Sequence, residues 1–419
     1  MGIALGVTSF DANKASAEEE FVDAENTEVE LATTAEIKAE DAARVNDSSN
    51  ENPDAGRIAQ KQRQESATGA TVEDKPIWDV DLYGSVRLHA INTFNVEDEQ
   101  TSSELGDGAS RIGLSGHWSF AENWDLFGRV ESGFDIIDSY TSKAQDSDEQ
   151  NLRLANIGLD NENFYLKAGK SWSVYYTVAG AADRFAIFGG DAAGAYNAGS
   201  DGGATGTGRS DDALQTMIYI DPGSWTRIKP FNLNLQYALG QPIPNVRGQD
   251  YEYSWGASGW LENNSRVGVG IAYHRAAVEN PQAAEVLEAG IDGDAIATSI
   301  ALKTYGSKWL ASLVLSKLKN IEATEREQYF SGEGAELFAK WEVANDLWLV
   351  GGGNWLQPND DNERVGDYQV KYGVLGLHYS IDSAHRMIYV EWKNDHSTLT
   401  NGRGKDNEFT VGIRWDIGY

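Results

Sequence analysis

The strongest constraint on this chain is an alternation of apolar and polar residues that runs from Val80 to the last residue. The alternation is clearest in the stretches 80–89, 111–120, 231–239 and 409–419. A period of two places successive side chains on opposite faces of a sheet, whereas a helix needs a period near 3.6. The pattern therefore predicts an all-β fold whose strands separate two different environments.

The composition limits what those environments can be. Charged residues make up 24% of the chain, its mean hydropathy is −0.47, and it has no apolar run near the roughly 20 residues of a membrane helix. These values exclude a helical membrane protein but fit a barrel, whose strands are apolar at only every second position. The 44 Gly, 13 Trp, 18 Tyr and 13 Phe disfavour helices and favour strands and membrane interfaces.

The connections distinguish a barrel in lipid from a soluble sandwich, which also alternates but buries its apolar face against a second sheet. Short links lie near 122–123, 161–163, 222–224, 262–264, 306–307, 345–346 and 382–384. Long ones cover roughly 95–107, 138–150, 171–208, 241–250, 276–292, 319–332, 358–367 and 396–405. Eight long loops alternating with seven short turns predict a 16-stranded antiparallel transmembrane β-barrel with an aqueous lumen.

The N-terminal part of the chain does not follow the alternation. Residues 1–17 join a short apolar run to a small-x-small cleavage pattern, which predicts the remnant of a secretion signal; a flexible N-terminus is the alternative. Residues 18–78 form an acidic low-complexity extension, and 1–78 together hold 17 acidic against 7 basic residues. We expect a disordered or weakly helical periplasmic tail, although a docking or peptidoglycan-contacting segment also fits. The barrel is expected to occupy 79–419.

Charge and cysteine content exclude several functional classes. A net charge of −31 and a pI near 4.5 argue against nucleic-acid binding, which needs a basic face. The chain has no cysteine, and therefore neither disulfides nor thiolate metal sites. Its six His show no metal-ligand spacing. We therefore expect no metal, no cofactor and no catalytic site.

Several short motifs resemble those of the trimeric general-diffusion porins of Gram-negative outer membranes, and their order covers 79–419. They lie at 81–84, 110–116, 168–172, 188–191 and 208–211, with an aromatic C-terminus at Tyr419. The resemblance implies a homotrimer in the cell outer membrane, in contact with lipid and lipopolysaccharide, that passes ions and small hydrophilic solutes. It also implies that the long third loop, 171–208, folds into the lumen and narrows it.

In these porins a basic cluster on the barrel wall faces acidic residues of the folded loop. The matching wall positions are Arg111, Lys170 and Arg209, and Arg87 and Arg129 fall on the same lumen-facing phase. The resemblance therefore predicts a constriction whose opposed charges orient polar solutes and repel apolar ones. For each arginine, a solvated lumen residue without a special role is the alternative.

The loop side of the predicted constriction lacks one of the acidic residues that the family pattern has. Asp183 and Asp191 match acidic positions of the family, but Ile187 stands where many relatives carry a glutamate. Three aromatic residues at the start of the loop are possible pore-lining residues, although packing of the loop against the wall is the favoured interpretation: Trp172, Tyr175 and Tyr176.

These features predict an outer-membrane porin for passive diffusion. Two alternatives stay open: a substrate-selective porin for oligosaccharides or an anionic nutrient, and a surface receptor or adhesin barrel that acts through its acidic loops. Because residues 79–419 carry −21 of the net charge, we expect a preference for cations.

Overall fold

The structure is a computed structural model that describes residues 78–95, 101–137, 152–161, 163–221, 231–262, 266–359, 364–382 and 385–418. The predicted signal remnant at 1–17, the extension up to residue 77 and the aromatic C-terminus Tyr419 lie outside the described residues. Seventeen antiparallel strands are described and form one closed sheet.

The first nine strands are β1 (Trp78–Phe94), β2 (Thr101–Asp107), β3 (Arg111–Ala121), β4 (Trp124–Gly133), β5 (Leu152–Asn161), β6 (Phe164–Trp172), β7 (Arg209–Ile220), β8 (Phe231–Leu239) and β9 (Tyr251–Glu262). The others are β10 (Val267–Val278), β11 (Ala295–Gly306), β12 (Trp309–Ala323), β13 (Tyr329–Ala344), β14 (Leu347–Pro358), β15 (Val370–Asp382), β16 (Arg386–Asp395) and β17 (Asn407–Ile417). Two short helices, α1 (Tyr176–Ala179) and α2 (Ala284–Glu288), lie in loops. Among the described residues no helix is long and apolar enough to cross a membrane.

The seventeen strands occupy sixteen positions around the barrel, because β2 and β3 are two halves of one position. Both pair with β1, β2 opposite its second half and β3 opposite its first. β1 also pairs with β17, which closes the sheet. The predicted 16-stranded antiparallel barrel is therefore confirmed, while the predicted loop over 95–107 is wrong, since residues 101–107 form β2.

The break between β2 and β3 is held by hydrogen bonds. Gly108 N–H donates to Arg87 O at 2.7 Å, and Ser110 N–H donates to the Asp107 carboxylate at 2.6 Å. Ala109 has a φ of 68°, in the left-handed region that a residue with a Cβ rarely adopts. The break is therefore a defined kink in the wall, close to the middle of β1.

The two phases of the alternation face different surroundings. On β1, Val80 and Leu82 are each 61% exposed, whereas Tyr83 and Ser85 are buried. Trp118 and Trp415 also lie exposed on the outward phase. The apolar phase therefore points away from the lumen, where lipid would meet it, and the polar phase points inward.

The loop between β6 and β7 folds into the barrel, as the sequence predicts. It covers residues 173–208, slightly shorter than expected because Ser171 and Trp172 belong to β6. Its apolar side chains join one core cluster with lumen-facing residues of the wall. Members from the loop are Tyr175, Val178, Phe185, Phe188 and Ala192, and members from the wall include Ala272, Ala297, Val314, Leu318, Phe338 and Val374.

Candidate functional site

The third loop is attached to one side of the barrel by its backbone. Several loop N–H groups donate to wall side chains, among them those of Ala186 to Glu391 (2.8 Å), Gly189 to Tyr372 (3.2 Å), Asp191 to Asn354 (3.0 Å) and Ala192 to Glu336 (2.7 Å). Glu336 and Glu391 are almost completely buried. Since a buried N–H without an acceptor is costly, these wall side chains replace the water that the loop backbone loses. We call this side, formed by β9–β16, the covered wall.

Aromatic packing reinforces the attachment. The ring of Phe185 meets that of Phe338 edge to face at 5.0 Å, and Tyr175 OH donates to Ala193 O at 2.7 Å. Tyr175 and Tyr176 are 0% and 4% exposed. These two residues therefore lie within the packed loop and do not line the open lumen, which agrees with the packing interpretation.

Trp172 lies at the root of the loop. Its ring stacks on Tyr176 at 4.2 Å, and the guanidinium of Arg209 lies 5.7 Å from its centre. Trp172 is half-buried, and Tyr196 packs edge-on against it. Tyr176, Arg209 and Tyr196 thus pack around the Trp172 ring, and this packing stabilises the chain where the loop leaves β6.

The loop residues that match the family's acidic positions are in different environments. Asp183 is half-buried and accepts a hydrogen bond from Tyr176 OH at 2.9 Å, and burial raises the pKa of its carboxyl above the ordinary value. Asp191 is exposed to the lumen and accepts a hydrogen bond from Tyr372 OH at 2.6 Å. Ile187 is half-buried and packs against the core cluster.

The opposite side of the lumen, formed by β1, β3–β5 and β17, is left open by the loop except where the loop tip reaches β1 beside Gly108, and we call it the open wall. Its centre is Glu131, which is 4% exposed. Arg153 Nε donates to Glu131 Oε1 at 2.9 Å, and Arg111 and Arg129 each come within 4.0 Å of Oε2. Tyr83 OH donates to the same oxygen at 3.1 Å. Three guanidinium groups thus share one carboxylate.

Arg153 was not among the residues predicted from the sequence, and a β-bulge explains why. The alternation places it in phase with Ile157, which is exposed on the outside. Glu131 pairs with Leu154 and Ser132 with Leu152, so Arg153 is an extra residue in the β4–β5 ladder. Such a bulge re-aims a side chain, here into the lumen. An arginine on an apolar, lipid-facing phase was the signal that could have revealed it.

A second cluster on the open wall surrounds Asp416. Arg414 donates to it, with 2.7 Å between Nη2 and Oδ2, and Ser85 donates to Oδ1. Arg87 lies directly across the strand pair from Arg414, and its Nε donates to Ser85 Oγ at 2.9 Å. Like charges in directly opposite positions repel, so Asp416 and Ser85 stabilise this pair. Arg414 and Asp416 lie on the polar phase of the last strand, yet sequence reasoning gave them no role.

The remaining predicted cations lie at the root of the third loop. Lys170 Nζ is 2.8 Å from Asp211 Oδ1 and 3.2 Å from Asp201 Oδ2, and Arg209 Nε is 3.3 Å from the same Asp201 oxygen.

The structure therefore divides the five predicted basic residues among three clusters. Arg111 and Arg129 share Glu131, Lys170 and Arg209 share Asp201, and Arg87 belongs to the pair around Asp416. Their acidic partners were not predicted. Within the described parts of the chain, no group of His, Asp and Glu has the arrangement of a metal site.

Comparisons with known proteins agree with this architecture. The chain resembles the solved structures of OmpF from Salmonella typhi in complex with daunomycin (TM-score 0.64, 18% identity, 81% of this chain and 97% of that one) and an anion-selective porin from Comamonas acidovorans (0.60, 14%, 81% and 100%). It also resembles the trimer form of OmpT, an outer membrane protein of Vibrio cholerae (0.54, 16%, 82% and 100%). At these identities the likeness concerns the fold alone.

The sequence comparisons give the family. No curated protein matches the chain. A family model described as Gram-negative porin matches residues 59–418, which is most of the chain and includes the whole described barrel. The chain therefore belongs to the Gram-negative porin family and is an outer-membrane channel for passive diffusion.

Proposed function

We propose that this porin is a general-diffusion channel whose constriction, formed between the third loop and the open wall, favours anions. The observation that carries the proposal is the charge of the open wall. Five arginines, Arg87, Arg111, Arg129, Arg153 and Arg414, share two carboxylates, Glu131 and Asp416.

The total charge of residues 79–419 predicts a preference for cations instead. Which preference prevails depends on how far each charged group lies from the passing ion. Charges on solvated loops are screened over a Debye length of about 8 Å at physiological salt. Charges on the lumen wall act across a narrow gap between low-dielectric walls, where an ion has no room to avoid them. We therefore expect the excess of arginines to outweigh the more distant acidic residues.

The loop opposes this field only weakly. Asp191 is exposed to the lumen, but Asp183 is half-buried and hydrogen-bonded to Tyr176. Ile187 adds no charge. The loop therefore presents fewer ionised groups to the passing ion than the open wall does.

The test is the zero-current potential of reconstituted channels in a potassium chloride gradient. Wild type should show the sign of an anion-preferring pore. Arg111→Ala and Arg153→Ala should each shift the potential towards cations. Arg386→Ala should leave it unchanged, because Arg386 is 41% exposed and paired with Asp382 beside a short turn. A cation preference in wild type, or equal shifts in all three variants, would overturn the proposal.

A substrate-selective pore is the second candidate. The burial of the aromatic residues favours an anionic nutrient over oligosaccharides as its substrate. Tyr175 and Tyr176 are packed inside the loop, so they offer no stacking surface to a sugar. An anionic nutrient would use the arginines of the open wall. Sub-millimolar block of the current by one dicarboxylate, with none by oligosaccharides, would favour the selective pore over general diffusion.

The assembly and surroundings are part of the same proposal. We infer a homotrimer whose outward faces contact outer-membrane lipid and lipopolysaccharide, with no catalytic role. Residues 1–17 would be the remnant of a secretion signal, and the acidic extension after it a periplasmic tail. Conductance that closes in three equal steps under high voltage would support the trimer, and single-step closure would contradict it.

A further inference from the structure

The tip of the third loop touches the wall at a second place, far around the barrel from its root. A methyl group added to Gly108 would lie 3.2 Å from Ile187 Cδ1 and 3.3 Å from Arg87 Cβ. Gly108 begins the break between β2 and β3. The side chain of Ile187 thus lies over a wall position that has no side chain to exclude it.

The surface that receives Ile187 is rigid. Gly108 N–H donates to Arg87 O, Arg87 N–H donates to Ser110 Oγ at 2.9 Å, and the Asp107 carboxylate accepts N–H groups from both Ser110 and Ile136. Because each backbone group named here has a partner, the break cannot easily shift to relieve a contact. A loop tip that meets it must adapt to its shape.

The loop tip is also held from a neighbouring strand. Glu391 on β16 accepts the N–H groups of Ala186 (2.8 Å) and Ile187 (3.3 Å), and His378 Nε2 lies 2.9 Å from the same carboxylate. On β1, Ile91 packs against the same core cluster as Ile187. The tip therefore spans the wall from β16 across β17 to the β1–β2 pair.

We propose that Ile187 and Gly108 form an apolar contact that pins the loop tip to the wall and sets the width of the pore. The proposal rests on the channel function. With the tip pinned here, the opening is confined to the gap between the inner side of the loop and the arginines of the open wall. Ile187 and Gly108 are thus size-determining residues, although neither carries a charge.

The experiment is a double-mutant cycle on full-length channels, read by single-channel conductance and by liposome swelling with sugars of increasing size. Ile187→Ala should raise the conductance and admit larger sugars, since the tip loses its contact. Gly108→Ala should lower both slightly, because a methyl group placed 3.2 Å from Ile187 Cδ1 is tighter than ordinary contact and shifts the Ile187 side chain by a few tenths of an ångström towards the lumen. In the double variant the effect of Gly108→Ala should largely disappear, because the effects of substitutions at two residues in contact do not add.

Ile112→Ala is the matched control, because Ile112 is the same residue type beside the same break but is exposed on the outer face. It should leave both readouts unchanged. Additive effects of the two substitutions, or an unchanged pore in Ile187→Ala, would overturn the proposal. A wild-type protein that does not conduct would instead overturn the channel function, so the two failures are distinguishable. Heat-modified mobility on gels verifies that each variant folds.

Discussion

The open wall and the covered wall are built from the same alternating strands but differ in what their lumen-facing residues do. On the open wall these residues are arginines and carboxylates that pair with one another and leave little of their side chains exposed. On the covered wall they are small or apolar side chains and buried carboxylates that bind the loop, such as Ala297, Phe338 and Glu336. The period of two decides which side chains point inward, whereas the loop decides which of those pack against it and which pair with other wall residues.

The largest effect should come from breaking the apolar contact on the covered wall. Phe338→Ala removes a ring that is 2% exposed and packs on Phe185, so we expect a loss of about 3–5 kcal/mol of unfolding free energy. The adjacent Leu337 is 48% exposed on the outer face. Leu337→Ala should therefore cost much less. Denaturant titration in detergent measures both, and equal losses would show that the covered wall is not a packed core.

The polar attachment of the loop should come next. Glu336→Ala leaves the N–H of Ala192 buried without its acceptor, which costs about 1–3 kcal/mol. The channel should also close at lower voltage, because the loop is held less firmly. Glu336→Gln keeps an acceptor oxygen and should behave almost like wild type. If Glu336→Gln lowers the unfolding free energy and the closing voltage as much as Glu336→Ala does, the hydrogen bond to Ala192 is not what the Glu336 carboxylate contributes.

On the open wall the corresponding change is electrostatic. Glu131→Gln removes the negative charge that Arg111, Arg129 and Arg153 share. We expect a loss on the order of 1 kcal/mol, since the amide oxygen still accepts a hydrogen bond and the lumen supplies mobile anions. The zero-current potential should move further towards anions. A move towards cations would contradict the role given to this cluster.

The smallest effect should concern the rim that joins the two walls. Glu325, between β12 and β13, accepts hydrogen bonds from the N–H of Thr400 (2.9 Å) and from its hydroxyl, between β16 and β17. Burial alone would raise the pKa of Glu325, but the hydrogen bonds from Thr400 outweigh it and hold the pKa below the ordinary 4.5.

The sign of the pH dependence follows from that lowered pKa. The stabilisation is fully present above the unfolded value of 4.5 and is lost as pH falls through the folded pKa. Thermal melting should therefore separate wild type from Glu325→Gln near neutral pH, and the difference should vanish in acid. A difference that grows in acid would show that the carboxylate is not held ionised by Thr400.

Most of the fold could be predicted, because alternation and turn composition are local properties. The short turns at 122–123 and 345–346 fall between strands as expected. Several long loops were predicted too long, since residues 101–107 form β2 and since β6, β10 and β12 extend to Trp172, Val278 and Ala323. These errors concern strand ends next to the long loops, where the alternation of apolar and polar residues is weak.

The site could be predicted only in part. Arg111, Arg129 and Arg87 follow the lumen phase and do lie on the open wall. Arg153 does not follow it, because a bulge reverses its direction. The carboxylates that these arginines share were not predicted, since the partner of a charge depends on neighbouring strands and on the course of the loop.

The sequence by itself determined the strand number, the two faces of the sheet and the presence of one exceptionally long loop. These follow from spacing along the chain. Only the tertiary structure decided that the loop lies on β9–β16, that Ile187 reaches Gly108, and that Arg153 turns inward. Each of these three features depends on contacts between residues far apart in sequence. Packing and hydrogen bonding in the folded barrel determine such contacts, and the local alternation of residues does not encode them.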